Sequence, residues 1–109
     1  MHKKALLFKK ILAIVAKIPT GKVTTYGEIA RSIGLKDARV VGWALHQNED
    51  PIKYPCHRVV NKLGGLSKGY VFGGKGKQAE LLSSEGVILK KDGSIELNQC
   101  LWIPNAGDD

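Results

Sequence analysis

Residues 26–47 read YGEIARSIGLKDARVVGWALHQ, and this stretch decides the fold. Ile29, Ala30 and Ile33 fall on one face of a short helix, and Gly34 is a natural stop for it. Asp37 is a good N-cap for a second helix running from Ala38 to Gln47. Two short helices joined by a glycine-containing turn outline a helix-turn-helix, the second being the recognition helix. Many helical hairpins share this outline and bind nothing, so it fixes a shape and not a function.

On the N-terminal side, residues 4–17 place Leu7, Ile11, Ile14 and Val15 at helical spacing with lysines opposite, up to Pro19 and Gly21. The narrow apolar stripe favours packing on a core over lying on a membrane. Lys9, Lys10 and Lys17 interrupt the apolar positions, so this is not a signal peptide, and no stretch reaches membrane-spanning length. Val23-Thr24-Thr25-Tyr26 is β-branched and predicts a short strand. On the C-terminal side, Asn48-Glu49-Asp50-Pro51 predicts a turn, and glycines between 64 and 76 punctuate a loop holding Tyr70 and Phe72. Lys75 to Ser84 predicts a helix, with Ala79 and Leu82 spaced for packing. Asp92-Gly93, between Val87-Ile88-Leu89 and Ile95-Glu96-Leu97, predicts a hairpin. The expected class is α/β, mainly α: one winged helix-turn-helix domain over residues 1–104 with a small C-terminal β-hairpin, then a flexible tail at 105–109.

The chain of 109 residues carries 17 Lys and Arg against 10 Asp and Glu, a net charge of +7. That surplus favours a polyanionic partner, nucleic acid being the commonest; solubility alone is the other reading. Cys56 and Cys100 form no CxxC pair and no zinc-type spacing with the three histidines, so no metal is expected. Nothing points to secretion, and the chain is read as cytoplasmic with reduced thiols.

Cys56 stands beside a histidine in Pro55-Cys56-His57-Arg58-Val59. Composition leaves two readings of it open: a nucleophile primed by imidazole, or a small buried residue. Adjacent side chains diverge in strands and helices alike, so a direct thiol–imidazole bond is awkward. A turn or a bridging water would be needed to carry the proton. The imidazole also needs an orienting partner on its other nitrogen, for which Glu85 is a candidate.

These five residues resemble the active-site motif of the O6-alkylguanine-DNA alkyltransferases, also called methylated-DNA–protein-cysteine methyltransferases. The likeness continues in Ile18-Pro19-x-Gly21-Lys22-Val23-x-x-Tyr26-Gly27-Glu28-Ile29-Ala30 and in Ala38-Arg39-x-Val41-Gly42-x-Ala44. It extends through Asn48, Gly69-Tyr70-x-Phe72-Gly73 and Leu81-Leu82-x-x-Glu85-Gly86. The matching segments run in order over residues 5–87.

The resemblance implies a single-turnover DNA repair protein. It would bind double-stranded DNA containing O6-alkylguanine through the minor groove, flip the damaged guanosine and move the alkyl group irreversibly to Cys56. His57 would act as base through a water, and Glu85 would hold His57. Tyr26 would help rotate the nucleotide and donate to the departing oxygen. Arg39 would fill the gap in the base stack, with Ala38 and Gly42 letting the helix approach the groove and Lys36 and Lys62 near phosphates. Asn48 would brace the loop before the cysteine. The backbone at Cys56 and Val59 would read the guanine edge, and Tyr70, Val71, Phe72 and Gly73 would wall the pocket. No metal, organic cofactor or membrane is implied, and the protein is expected as a monomer.

Two departures from the family pattern stand out. The chain starts at the helical domain, without the N-terminal domain of most members. Its length and its Leu101-Trp102-Ile103-Pro104 ending resemble the alkyltransferase-like proteins, which typically replace the cysteine and flag alkylguanine for excision-repair partners. This chain keeps Cys56. The alternative function is therefore a non-catalytic lesion-binding module, and a weaker one is a helix-turn-helix regulator. Residue by residue, bland roles also stand: Tyr26 in a core, Arg39 solvated, Glu85 capping, Tyr70 and Phe72 anchoring a loop. Trp43 and Trp102 are expected to pack, although Trp43 shares a helix face with Arg39.

Overall fold

A computed structural model describes residues 2–67, 70 and 72–104 of the chain. Gly69 and Val71 of the expected pocket loop, and the expected tail at 105–109, lie outside the described residues. The order of elements is α1 (His2–Lys17), β1 (Thr24–Thr25), α2 (Tyr26–Ser32), α3 (Arg39–His46), a 3-10 turn (Cys56–Arg58), β2 (Val59–Val60), α4 (Gly74–Ser84) and α5 (Leu97–Cys100). The domain is mainly helical, with one two-stranded sheet. No helix among the described residues is long and apolar enough to cross a membrane.

The sheet is small but central. β1 and β2 run parallel, with Thr24 opposite Val59 and Thr25 opposite Val60. Successive strand side chains point to opposite faces. Val59 therefore enters a cluster with Ile11, Val15, Ile29, Val41 and Ala44, while Val60 enters a second one with Val23, Leu66, Leu82, Val87 and Ile95. The first cluster is closed by α1, α2 and α3, and the second by α4 and the C-terminal segment. The stripe expected on α1 is present: Ile11 and Val15 are fully buried, and Leu7 and Ile14 pack partly against the same cluster.

Local signals set the helix ends. Thr25 caps α2, its hydroxyl accepting the Glu28 amide hydrogen at 3.1 Å. α2 closes in a Schellman motif at Gly34, with Leu35 donating to the Ala30 carbonyl at 2.8 Å and Gly34 to Arg31 at 3.2 Å. Asp37 is not the N-cap of α3. Ala38 already has helical backbone angles and holds the cap position. Asp37, one residue further out, still accepts the Arg39 amide hydrogen at 2.9 Å. Trp43 does not pack in the core: Val41, Ala44 and Leu45 supply the buried face of α3, and Trp43 is 56% exposed. Trp102 does pack, against the first cluster.

The expected C-terminal hairpin is reduced to one antiparallel bridge, Leu89 to Ile95, around the Asp92-Gly93 turn. The last rung is Glu96 donating to the Ile88 carbonyl at 3.2 Å. Leu97, expected in the second strand, instead opens α5. The reason is a competing edge. Val23 accepts from Trp102 at 2.7 Å and donates to Cys100 at 2.9 Å, so the chain must turn away from the hairpin to reach β1.

Gly64 ties the loop after β2 to this hairpin, its carbonyl accepting from Ile95 at 2.8 Å. Its φ is +86°, and an added Cβ would sit 2.4 Å from the Ile95 carbonyl oxygen. Gly64→Ala is expected to cost about 2 kcal/mol through the left-handed backbone and the clash together. In a domain of this size that lowers the thermal midpoint by about 10 °C. A midpoint within about 2 °C of wild type, by calorimetry, would show that the loop relaxes freely.

Candidate functional site

Cys56 opens the 3-10 turn immediately after Pro55 and is 3% exposed. The turn sends neighbouring side chains in different directions. Cys56 lines a cavity of about 220 Å³ together with Tyr26, Gly42, His46, Asn61 and Tyr70. His57 borders a separate opening with Pro51, Pro55, Phe72 and Glu85. Thiol and imidazole are thus adjacent in sequence but not hydrogen-bonded to each other.

The carboxylate of Glu85 is the hub behind the turn. His57 Nε2 lies 2.8 Å from Glu85 Oε2. Arg58 grips the same carboxylate with both arms, Nε donating to Oε1 at 2.9 Å and Nη2 to Oε2 at 2.8 Å. Arg58 also donates through Nη1 to the Ile18 carbonyl at 2.9 Å and through Nη2 to the Thr20 hydroxyl at 3.1 Å. Burial raises the Glu85 carboxyl pKa, but hydrogen bonds from Arg58 and His57 outweigh it and hold it below the ordinary value. Glu85 is the C-cap of α4, fixed by a Schellman closure at Gly86, whose φ is +86°. Val87 donates to Leu82 and Gly86 to Ser83, both at 3.0 Å. A carboxylate is disfavoured at a helix C-terminus, and the hydrogen bonds from Arg58 and His57 offset that.

This arrangement sets the imidazole tautomer. An ionised Glu85 can only accept, so Nε2 carries the proton and Nδ1 of the neutral ring is left as an acceptor. Nδ1 is buried and makes no hydrogen bond within the described residues. The Cys56 thiol pKa is pushed up by burial, against a smaller opposing effect of the Asn48 contact. Asn48 Nδ2 lies 3.4 Å from the sulfur and donates to the Tyr54 carbonyl at 2.9 Å, while its Oδ1 accepts from Asp50 at 2.9 Å. The site therefore holds a protonated thiol, an imidazole nitrogen free to accept, and a loop before the cysteine that Asn48 ties together.

Tyr26 leads α2 directly from β1, which carries its ring to the Cys56 cavity. Burial raises its hydroxyl pKa despite a hydrogen bond with Ser67, and the charge of Cys56 adds to the rise, so it stays a proton donor. Tyr70, 8% exposed, is pushed up to about 12 by burial, with Cys56 and Glu85 contributing. Its ring meets Phe72 edge-on, 5.9 Å between centroids. Val59 is fully buried, its amide donating to the Cys56 carbonyl and its own carbonyl accepting from Gln78 at 3.1 Å. Gly73 caps α4, outside the Cys56 cavity.

The residues expected at DNA divide into two groups. Gly42 faces the Cys56 cavity. Ala38 packs on the first cluster, and Lys36 is exposed in the turn before α3. Arg39 is exposed and paired with Asp37, Nε to Oδ1 at 3.0 Å and Nη2 to Oδ2 at 2.9 Å.

Two residues had no role in the sequence reading. Arg58 was visible only as part of a motif. Gln78, fully buried, donates from Nε2 to the carbonyls of His57 and Val59 at 3.1 Å each and accepts the Ser67 amide hydrogen at 2.8 Å. It fastens α4 to the turn that carries the thiol. Its only signal was an amide residue at a helix position otherwise spaced for packing.

The family model of the 6-O-methylguanine DNA methyltransferase DNA-binding domain matches residues 7–87. Alkyltransferase-like protein 1 of Schizosaccharomyces pombe is 38% identical over 102 residues, covering 89% of this chain and 94% of that protein. The crystal structure of S. pombe Atl1 with damaged DNA containing O6-carboxymethylguanine superposes with a TM-score of 0.76 at 36% identity, covering 95% of this chain and 98% of that one. The methylated-DNA–protein-cysteine methyltransferase of Methanocaldococcus jannaschii is 51% identical over 63 residues, covering 56% of this chain. The chain spans 37% of that relative's length.

The Glu85 hub has a pH signature. A depressed carboxyl pKa favours the folded state while the group is ionised. That contribution is whole above the ordinary value of 4.5 and is lost as pH falls through the lower, folded value. Between about pH 5 and pH 3, wild type is expected to lose more stability than Glu85→Gln in urea unfolding. Parallel profiles for the two proteins would remove Glu85 as an ionised hub.

Proposed function

This chain belongs to the 6-O-methylguanine DNA methyltransferase DNA-binding family, and we propose that it repairs double-stranded DNA by taking the alkyl group of O6-alkylguanine onto Cys56, once per molecule. The observation that carries the reading is Cys56 lining an open cavity in front of the His57–Glu85–Arg58 network.

The chemistry follows from the protonation states. A thiol raised by burial is a poor nucleophile until a base takes its proton. His57 Nδ1 does so through a bridging water, while Glu85 and Arg58 steady the imidazolium that forms. Sulfur bonds to the alkyl carbon as the carbon–O6 bond breaks, and that electron pair leaves with the guanine. Tyr26 gives the departing oxygen a proton and regains one as the imidazolium is discharged. The net change is a thiol converted to a thioether and a guanine restored.

Reaching the base requires α2 and α3 to act as a helix-turn-helix in the minor groove, with the Leu89–Ile95 hairpin as a wing. Ala38 and Gly42 admit the backbone, Lys36 meets phosphates, and Asn48 keeps the thiol loop rigid. Arg39 releases Asp37 and fills the gap of the extruded base, which offsets part of the unstacking cost. The Asp37–Arg39 pair lies at the surface and is therefore cheap to break. Tyr70 walls the flipped base, with Phe72 packed edge-on against its ring. The protein acts as a monomer in the reducing cytoplasm, where Cys56 and Cys100 stay free thiols.

A second reading has its own support: a lesion-binding module that recruits excision-repair proteins and leaves Cys56 idle. The chain spans 94% of the alkyltransferase-like relative against 37% of the methyltransferase. Intact mass after incubation with duplex containing O6-methylguanine decides between them. The transfer reading expects one added methylene in wild type and none in Cys56→Ser. Lesion-selective binding without a mass change establishes the second reading instead.

Arg39→Ala is expected to weaken binding to lesion duplex about tenfold and to plain duplex much less, by fluorescence anisotropy. Equal losses on both would make Arg39 a phosphate contact.

A further inference from the structure

Trp43 is a large aromatic side chain left 56% exposed on a helix whose core-facing positions are already filled by Val41, Ala44 and Leu45. Helical spacing sets it one turn after Arg39 and one turn before His46. Its neighbours Gly42 and His46 line the Cys56 cavity. Trp43 itself does not line that cavity; helical spacing sets it beside His46, which does, on the same helix face as Arg39. α1 supplies a cation to it: Lys4 Nζ lies 5.9 Å from the Trp43 ring centroid and 6.0 Å from that of Phe8. A cation held over an exposed ring offers an apolar plate and a positive charge side by side.

We propose that Trp43 and Lys4 form a second contact to duplex DNA beside the lesion cavity, the indole lying against the sugar faces of one strand and the ammonium pairing with a phosphate. The proposal rests on the DNA-binding reading above and adds to it a contact made by α1 and by a residue outside the base pocket. Two features select DNA over a protein partner as the occupant. The same helix carries Gly42 and His46, which line the cavity that must meet the flipped base. The ammonium of Lys4 beside the ring matches the phosphate backbone, as does the net charge of +7. Because the contact lies away from the damaged base, it serves plain and lesion duplex alike, unlike the lesion-selective role of Arg39.

The chain has two tryptophans, so Trp102→Phe leaves Trp43 as the single reporter. Titration of that protein with a short undamaged duplex is expected to quench and shift Trp43 emission in step with anisotropy. Should Trp102→Phe fold poorly, the difference between wild type and Trp43→Phe gives the same signal. Trp43→Ala is expected to lower affinity for plain and lesion duplex by a similar factor, about fivefold to tenfold. Lys4→Ala is expected to reduce the slope of log K against log salt by about one. Trp43 emission that stays constant while anisotropy reports binding overturns the proposal and leaves the face to a protein partner. Loss of lesion preference with Trp43 still responding overturns the repair reading and leaves this contact standing.

Discussion

One carboxylate organises the site. Glu85 joins the end of α4 to His57 and Arg58, and Arg58 in turn reaches the Ile18 carbonyl and the Thr20 hydroxyl between α1 and β1. A buried pair of this kind adds little net stability over an apolar substitute, because desolvation opposes the attraction. Its value is specificity. With both carboxylate oxygens engaged, the imidazole has one permitted tautomer, and its second nitrogen is a base by elimination. Removing Arg58 would leave that carboxylate to burial, which raises its pKa and weakens its hold on the ring.

The rest of the fold serves to bring separate pieces to this hub. The two strands are only two residues each, yet they place Tyr26 and the Cys56 turn on neighbouring lines of chain. Gln78 fastens the turn from the other side. The geometry of the site is thus held by backbone pairing and one buried amide, neither of which depends on surface charge. Arg39 and Trp43 are exposed, each beside one charged neighbour, Asp37 and Lys4, while Asn48, His57 and Glu85 are tied into the hydrogen bonds around the Cys56 turn.

Much of this was legible in the sequence, for local reasons. Gly34 announces the end of α2 because capping needs only neighbouring residues, and the same kind of signal stands unread at Thr25 and Gly86. The divergence of Cys56 and His57 follows from the geometry of adjacent side chains and held in a 3-10 turn. The motif resemblance pointed to Glu85, which the structure sets against His57. What stayed hidden depends on distant partners. No pattern near Thr24 says that it lies opposite Val59, and nothing near Gln78 says that its amide closes three backbone groups. The hairpin was misjudged past Glu96 because Asp92-Gly93 reports a turn and not how long its strands run; the length is set by Val23, far away in sequence. Trp43 was misjudged because an indole usually packs, and only the fold shows the core face already full.

The C-terminal segment has a consequence for how this domain holds together. Cys100 and Trp102 hydrogen-bond to Val23, one residue before the strand that delivers Tyr26. This segment therefore braces β1, and through it the start of α2 that carries Tyr26. Losing those two hydrogen bonds would loosen β1 next to the Cys56 cavity, so the packing of this segment and the shape of that cavity are coupled.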